Sequence, residues 1–196
     1  MKYIDFHTHR VPTETEVIAV VDGRDTWGVH PWRADEAFDV PDLREKLAIG
    51  ECGLDAVRGV SMDKQLEVFK GQIELSEREE KPLIIHCVKA IDGLLRLRRD
   101  LHPKMPWMFH GFRGKPQQLR SLLNAGFYVS FGFHYNEESL DACPIERLLL
   151  ETDADDRSIV DLYNELKKMR GISMSSLCAA MAENYSIFFR KEPNML

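Results

Sequence analysis

No two of the four cysteines (Cys52, Cys87, Cys143 and Cys178) are close enough to form a CxxC pair. Their wide spacing excludes a disulfide scaffold and a zinc ribbon, and reads as reduced thiols in a cytoplasmic protein. Long hydrophobic runs are also missing. Val17 to Val21 and Leu148 to Leu150 are short, and even the six residues from Leu177 to Ala182 fall far short of the ~20 residues of a membrane helix. The first residues lack the apolar core of a signal peptide, because Asp5 and His7 interrupt it. Positive charge is not in excess: 26 Lys and Arg face 32 Asp and Glu, a net charge of −6. That balance argues against a tight non-specific grip on nucleic acid. No glycine fingerprint of the GxGxxG or Walker type is present, so nucleotide binding by those routes is unsupported. Low-complexity stretches, internal repeats and like-charge tails are absent. The expectation is no membrane contact and no stable protein partner.

What remains is 196 residues, of which 44% are hydrophobic and 30% charged. That suits one domain over 1–196 with a substantial core. The length lies at the bottom of the range for a (β/α)8 barrel, roughly 200 to over 400 residues.

Short apolar runs alternate with segments of helical period. Leu66, Phe69 and Ile73 mark a helix over 63–80 behind a Ser61 cap, and Ile91, Leu94, Leu95 and Leu101 mark another over 90–101. Pro116 opens a third helix, closed by Gly126. A fourth ends at Gly171, and Ser173 starts the last. Strands are expected at Tyr3–Thr8, Ala48–Glu51, Pro82–Cys87, Pro106–His110, Phe127–Phe131 and Arg147–Glu151. The alternation implies a mostly parallel sheet covered by helices, as a barrel or an open doubly wound sheet.

The segment from Thr15 to Trp32 breaks this rhythm. Val17–Val21 and Thr26–His30 both read as strands, but only Asp22-Gly23-Arg24-Asp25 separates them. A parallel crossover needs a dozen or more residues. The Asp-Gly pair instead signals a hairpin, so an irregular, antiparallel element is expected here.

Asp5, His7 and His9 alternate along the first strand and share one face. Two imidazoles at a strand's C-terminal end can begin a metal site, although HxH alone equally fits surface or core histidines. The placement then recurs. Glu51, His86 and His110 each end an apolar run, and Glu151 and Asp153 end a fifth. Ionisable groups are costly in an apolar sheet layer unless paired or metal-bound. At the C-terminal ends of parallel strands they sit where α/β active sites form.

The ordered set resembles the TatD family of metal-dependent hydrolases and DNases, within the amidohydrolase superfamily. The motifs are DxHxH (Asp5 to His9), GxHP (Gly28 to Pro31), GExGLD (Gly50 to Asp55), the strand histidines His86 and His110, and ETD (Glu151 to Asp153). The resemblance runs from Met1 to about Phe189. It implies a TIM-like (β/α) barrel, shortened and irregular near the second strand. It also implies a two-metal site (Zn, Mg or Mn), with His7, His9, Glu51 and Asp153 on one ion and Glu51 bridging to a second held by His86 and His110. Two ions about 3.5–4 Å apart suit phosphodiester hydrolysis, so a DNase is expected, exonuclease-like on single-stranded DNA. Asp153 and Glu51 are the expected catalytic residues, with Asp153 as general base. Glu151 would orient ligands or the leaving group, and Asp5 would brace the strand. His30 corresponds to a substrate-side histidine.

Three departures from the family pattern stand out. Val88, with Lys89 next, replaces an arginine two residues after His86. Arg113 replaces a serine in His110-Gly111-Phe112-Arg113-Gly114. The stretch between His9 and Gly28 is much shorter than a β/α/β unit, which suggests an open side near His7 and His9. Phosphate contacts are expected from Lys89 or Arg113, among a ring of Arg10, Arg33, Arg58 and Lys115. Trp32 and Phe112 offer either base stacking or ordinary packing. His102 and His134 match no motif, and Cys52 and Cys87 read as packing thiols. Two divalent ions would change the formal charge from −6 to −2 at the pocket. The alternatives are an amidohydrolase-type hydrolase of a small ester, amide or phosphate ester, or a non-catalytic metal-binding protein, against which the intact ligand set argues. Histidinol-phosphatase-like proteins share HxH but close with Asp-x-His, and no histidine follows His134 here.

Overall fold

A computed structural model of the chain describes residues 1–193. Six strands form one parallel sheet in sequence order: β3 (Thr26–Trp27), β4 (Ala48–Asp55), β5 (Leu83–Val88), β6 (Trp107–Phe109), β7 (Tyr128–Phe131) and β8 (Leu148–Leu150). β1 (Tyr3–Thr8) and β2 (Val17–Val21) pair as a second, parallel ladder. The two ladders join into one wall. Thr8 bridges in parallel to Asp153, just beyond β8. The Asp153 amide donates to the His7 carbonyl, and the His9 amide to the Asp153 carbonyl, both at 3.0 Å. On the other side β2 runs into β3 through residues 22–25. The result is a TIM-like barrel whose β2 and β3 are joined by this turn and not by strand pairing.

Helices α1 (Met62–Arg78), α2 (Ile91–Leu101), α3 (Pro116–Asn124), α5 (Ile159–Arg170) and α6 (Met174–Phe189) cover the wall. Their ends follow the sequence signals. Ser61, Ser158 and Ser173 cap α1, α5 and α6 with side-chain oxygens, Pro116 opens α3, and Gly171 ends α5 in the left-handed region. The short α4 (Glu137–Ala142) and the 3-10 turns Pro31–Arg33 and Ile145–Arg147 were not foreseen. β8 is three leucines, fully buried, as a strand covered on both faces requires. β1 sends Phe6 outward to Tyr185 and Phe189 of α6, with ring centroids 6.1 Å apart in each case.

The expected antiparallel hairpin is not there. β2 runs parallel to β1, with Tyr3 beside Val17 and Asp5 beside Ala19. No helix is needed for this return. The link over 9–16 can span roughly 26 Å when extended, enough to run back along a strand of about 17 Å. β2 and β3 point the same way but do not pair; β3 pairs instead with β4. A single turn over 22–25, closed by the Asp25 amide on the Val21 carbonyl, steps the chain from one neighbour to the other. A parallel strand therefore stands beside His7, which is wholly buried, whereas of the two histidines on the side expected to be open only His9 is exposed.

Among the described residues, no helix is long and apolar enough to cross a membrane.

Candidate metal centre

The strands aim their polar groups at one end of the barrel: His7 from β1 and His9 just after it, Glu51 from midway along β4, His86 from β5, His110 just after β6, and Asp153 just after β8. These six converge there, and all but the buried His7 line a cavity of about 1000 Å³ together with Asp22, His30, Trp32, Lys89 and Arg113. Of the eleven positions singled out in the sequence, all but Asp5 and Glu151 reach the cluster or its rim; Glu151 meets His110 from behind and Asp5 is tied to Thr152.

Side chains that could hold a cation gather on both sides of Glu51. On one side His9 Nε2 lies 3.3 Å from Asp153 Oδ1 and 3.6 Å from Glu51 Oε2. His7 Nε2 lies 3.7 Å from each of the same two carboxylate oxygens. On the other side, His86 Nδ1 and His110 Nε2 each lie 2.9 Å from Glu51 Oε1.

The far nitrogens of these last two rings fix their roles. His86 Nε2 lies 3.1 Å from Asp55 Oδ2, and His110 Nδ1 lies 3.3 Å from Glu151 Oε1. A carboxylate only accepts, so those far nitrogens donate, and the near nitrogens face Glu51 with either a proton or, where a cation is bound, a lone pair. Lone pairs and a carboxylate at 2.9 Å repel unless a proton or a cation stands between them. His7 gives a second observation: neither of its buried ring nitrogens has a hydrogen-bond partner, a costly state that ligation relieves. Imidazoles, a shared carboxylate and outer carboxylates that orient the rings match a divalent-cation site of the His/carboxylate type.

Without a cation, protons take the same role. Burial would push the Glu51 carboxyl up, but His110 and the other imidazoles outweigh it and hold Glu51 well below the usual carboxylate range. Burial would push His110 down, yet Glu51 and Glu151 together raise it well above the usual imidazole value. His9 is raised by its hydrogen bond to Asp153. Asp153 is lowered, because the His9 bond and nearby imidazoles outweigh burial.

His30 is placed differently from the ring ligands. Its Nδ1 accepts from the Trp32 amide at 3.2 Å, which leaves the proton on Nε2, 3.2 Å from Glu51 Oε1. It therefore donates to the shared carboxylate from the cavity wall. Asp5 is a brace: its two oxygens accept from the Thr152 amide (3.0 Å) and Thr152 Oγ1 (2.7 Å). Glu151 accepts from Ser130 Oγ at 2.5 Å beneath His110. Lys89 and Arg113 are exposed at the rim, as is Arg33. Arg10 instead pairs with Asp156 and the Ala154 carbonyl, and Lys115 sits at the start of α3. Phe112 is buried between Phe109 and Phe131, a packing role, whereas Trp32 is exposed.

Two acids escaped the sequence reading. Asp22 ends the apolar run of β2, the same signal that picked out Glu51, but it was read as a turn residue. Its Oδ1 accepts from Thr26 Oγ1 and the Glu51 amide, and its Oδ2 lies 3.7 Å from His9 Nδ1. Asp55 stands two residues beyond Gly53 on the face of Glu51. Burial would raise it, but bonds from Trp32, the Val57 and Arg58 amides and His86 bring it down to about 2.

The chain is also similar to known proteins. The chain is 37% identical over 147 residues to the 3'-5' ssDNA/RNA exonuclease TatD of Pantoea ananatis, a match covering 66% of this chain and 56% of that protein. It is 27% identical over 197 residues to the uncharacterised metal-dependent hydrolase YcfH of Escherichia coli, covering 86% and 74%. The chain thus spans little more than half the length of the curated exonucleases it matches. In fold it resembles the crystal structure of YJJV, a TatD homologue from Escherichia coli, with a TM-score of 0.76 at 21% identity over 91% of this chain and 79% of that one. A TatD-family hydrolase from Entamoeba histolytica gives 0.73 at 20% identity over 88% and 74%. The profile of the family described as TatD related DNase matches residues 16–190, so the chain belongs to the TatD-related DNase family.

Proposed function

We propose that the protein is a metal-dependent phosphodiesterase that cleaves nucleic acid, single-stranded DNA foremost, from an end, with two divalent ions at its centre. The reading rests on Glu51, whose carboxylate faces ring nitrogens on both sides, while the His86 and His110 rings are locked from behind by Asp55 and Glu151. That locking leaves lone pairs in place for cations. His7, His9, Glu51 and Asp153 would hold one ion, and Glu51, His86 and His110 the other. When bound, such a pair supplies an acidified water and charge that offsets the phosphoryl oxygens.

The chain's own groups do the rest. Asp153 Oδ1 points at His9, and the carboxylate, partly open to the cavity, is suited to take a proton from the attacking water. Lys89 and Arg113 reach the rim where phosphates flanking the cut bond would lie, and a cationic rim suits a diester better than a neutral amide or lactone. Relatives named as single-strand DNA and RNA exonucleases support the same substrate class.

The test is metal stoichiometry on purified protein, followed by turnover of end-labelled single- and double-stranded DNA beside phosphomonoester and amide panels. Two ions per chain are expected, with cleavage of single strands from an end. Glu51→Ala and Asp153→Asn should each lower turnover by about 10²–10⁴-fold. Full metal-dependent cleavage in either variant would falsify the assignment of the centre. Turnover of small esters without DNA cleavage would overturn the nuclease reading.

A further inference from the structure

Trp32 presents a large aromatic surface to solvent at the edge of the metal centre. It is 38% exposed, although most indoles are largely covered. Nothing about it is loose. Its Nε1 donates to Asp55 Oδ2 at 2.7 Å, and the same oxygen receives His86 Nε2. Its ring meets His30 edge-on with centroids 4.6 Å apart, and His86 at 5.8 Å. Pro31 fixes the 3-10 turn that carries it. Gly59 packs so closely that a Cβ there would fall 3.1 Å from Trp32 Cα. Over the ring, 3.8 Å from its centroid, lies the guanidinium of the exposed Arg58.

A rigid, exposed indole fixed to the carboxylate that orients a metal ligand is more than packing. We propose that Trp32 is the stacking platform for one nucleobase beside the scissile phosphate, and that the base takes the place of the Arg58 guanidinium, which then pairs with a phosphate of the strand. The inference rests on the nuclease reading above and adds where the substrate's base is held. Guanidinium and base both bind an indole through its π face, so exchanging them conserves most of that contact. The released arginine gains a phosphate partner, as the geometry of its planar fork favours. Asp55 links the two events, because the side chain that fixes the platform also fixes His86. A stack on any base is tolerant of sequence, as an end-directed nuclease requires.

The discriminating measurement combines Trp32→Ala with substrates that lack one base. Cleavage-resistant phosphorothioate oligothymidylates, intact or with a single abasic position walked along the strand, are titrated against metal-loaded protein. In the unsubstituted protein an abasic nucleotide at one position should weaken affinity by about tenfold or more, and little elsewhere. In Trp32→Ala that positional penalty should vanish, whereas a merely structural loss weakens intact and abasic strands alike and would overturn the proposal. Fluorescence gives an independent readout. Trp107 is buried and Trp27 packs on Phe38, so quenching by the intact strand should disappear in Trp32→Phe; quenching that survives overturns the platform. Arg58→Ala should reduce the salt slope of binding by about one, and an unchanged slope rejects the exchange of partners. Bis(p-nitrophenyl) phosphate, which has no base, separates the two readings. If the unsubstituted protein cleaves it but neither binds nor cuts oligonucleotides, the nuclease reading fails and takes the platform with it. If strands are cut and no position shows a penalty, only the platform fails.

Discussion

Asp5 is an acid with almost no access to water, tied to Thr152 by both oxygens. From there the bonding continues through Thr152 Oγ1 and Thr8 Oγ1, 2.9 Å apart, to the segment carrying Asp153. Burial raises its pKa to about 7, against the lowering effect of the Thr152 bonds. The unfolded chain releases this proton near pH 4 and the folded one near pH 7. Between those values the folded state binds more protons, so stability falls as pH rises across the window and levels off above it. Asp5→Asn keeps an acceptor for the Thr152 amide and can donate to Thr152 Oγ1, but it cannot ionise. Urea unfolding of metal-free protein at pH 5, 6, 7 and 8 should show a shallower decline for Asp5→Asn than for the unsubstituted chain. Parallel declines would remove Asp5 as the source. Tyr163 makes the complementary brace on the outer face, where its hydroxyl accepts from the Ile4 amide at 2.9 Å and donates to the Ile4 carbonyl at 3.0 Å. Tyr163→Phe strands both backbone groups in an apolar layer, and thermal or urea unfolding should show a loss of about 1–3 kcal/mol.

At the level of elements, β4 and β5 are held closer together than any side chain between them would permit. Gly53 has a φ of +134°, and a Cβ built there would lie 2.1 Å from the His86 carbonyl. Gly53→Ala should therefore part the two strands that carry Glu51 and His86, at about 4 kcal/mol or more, the range of rare, severe substitutions. Gly23 in the β2–β3 turn also has positive φ, +75°, but nothing lies within 4 Å. Gly23→Ala pays only the conformational strain, about 1–2 kcal/mol. Circular dichroism melts of the two variants should separate them clearly. These elements also show what could be read from sequence. β5, β6, β7 and β8 appeared within a residue or two of their observed limits, because buried parallel strands are apolar runs ending in one polar residue. The α1, α3, α5 and α6 ends were legible because Ser, Pro and Gly act at caps through local bonds. β2 and β3 were misread, because the length rule for crossovers assumes a helix, whereas an extended strap over 9–16 suffices. α4 is six residues long, too short to show a period. The candidate metal-site residues stood out because each closes or follows an apolar run. Asp55 and Asp22 were not, because their roles depend on which neighbouring side chain they meet across the barrel, which no spacing along the chain records.

For the molecule as a whole, the centre is where the barrel is tied together. Glu51 from β4 is flanked by rings from β1, β5 and the end of β6, while Asp153 joins β8 to β1. A cation bound there belongs to the folded state alone, since no unfolded chain assembles ligands from five strands, and binding stabilises that state in proportion to its occupancy. Removing metal should lower the melting temperature, and returning it should restore the loss. At 100 times Kd the difference corresponds to about 2.7 kcal/mol. The protons make the stronger test. In metal-free protein Glu51 and Glu151 hold His110 well above its usual pKa, so at neutral pH its Nε2 carries a proton on the line to Glu51. Ligation needs that lone pair, and the proton must leave. Metal binding must therefore release protons, and apparent affinity must rise with pH, about tenfold per unit for each proton displaced, until the displaced groups are already neutral in the free protein. Calorimetry in buffers of different ionisation enthalpy counts the protons directly. At least one per chain is expected near pH 7, and Glu51→Gln, which takes away the charge that keeps His110 protonated, should reduce the count together with the affinity. A binding constant unchanged between pH 6 and 8, with no proton released, would mean that the cation sits away from Glu51 and His110.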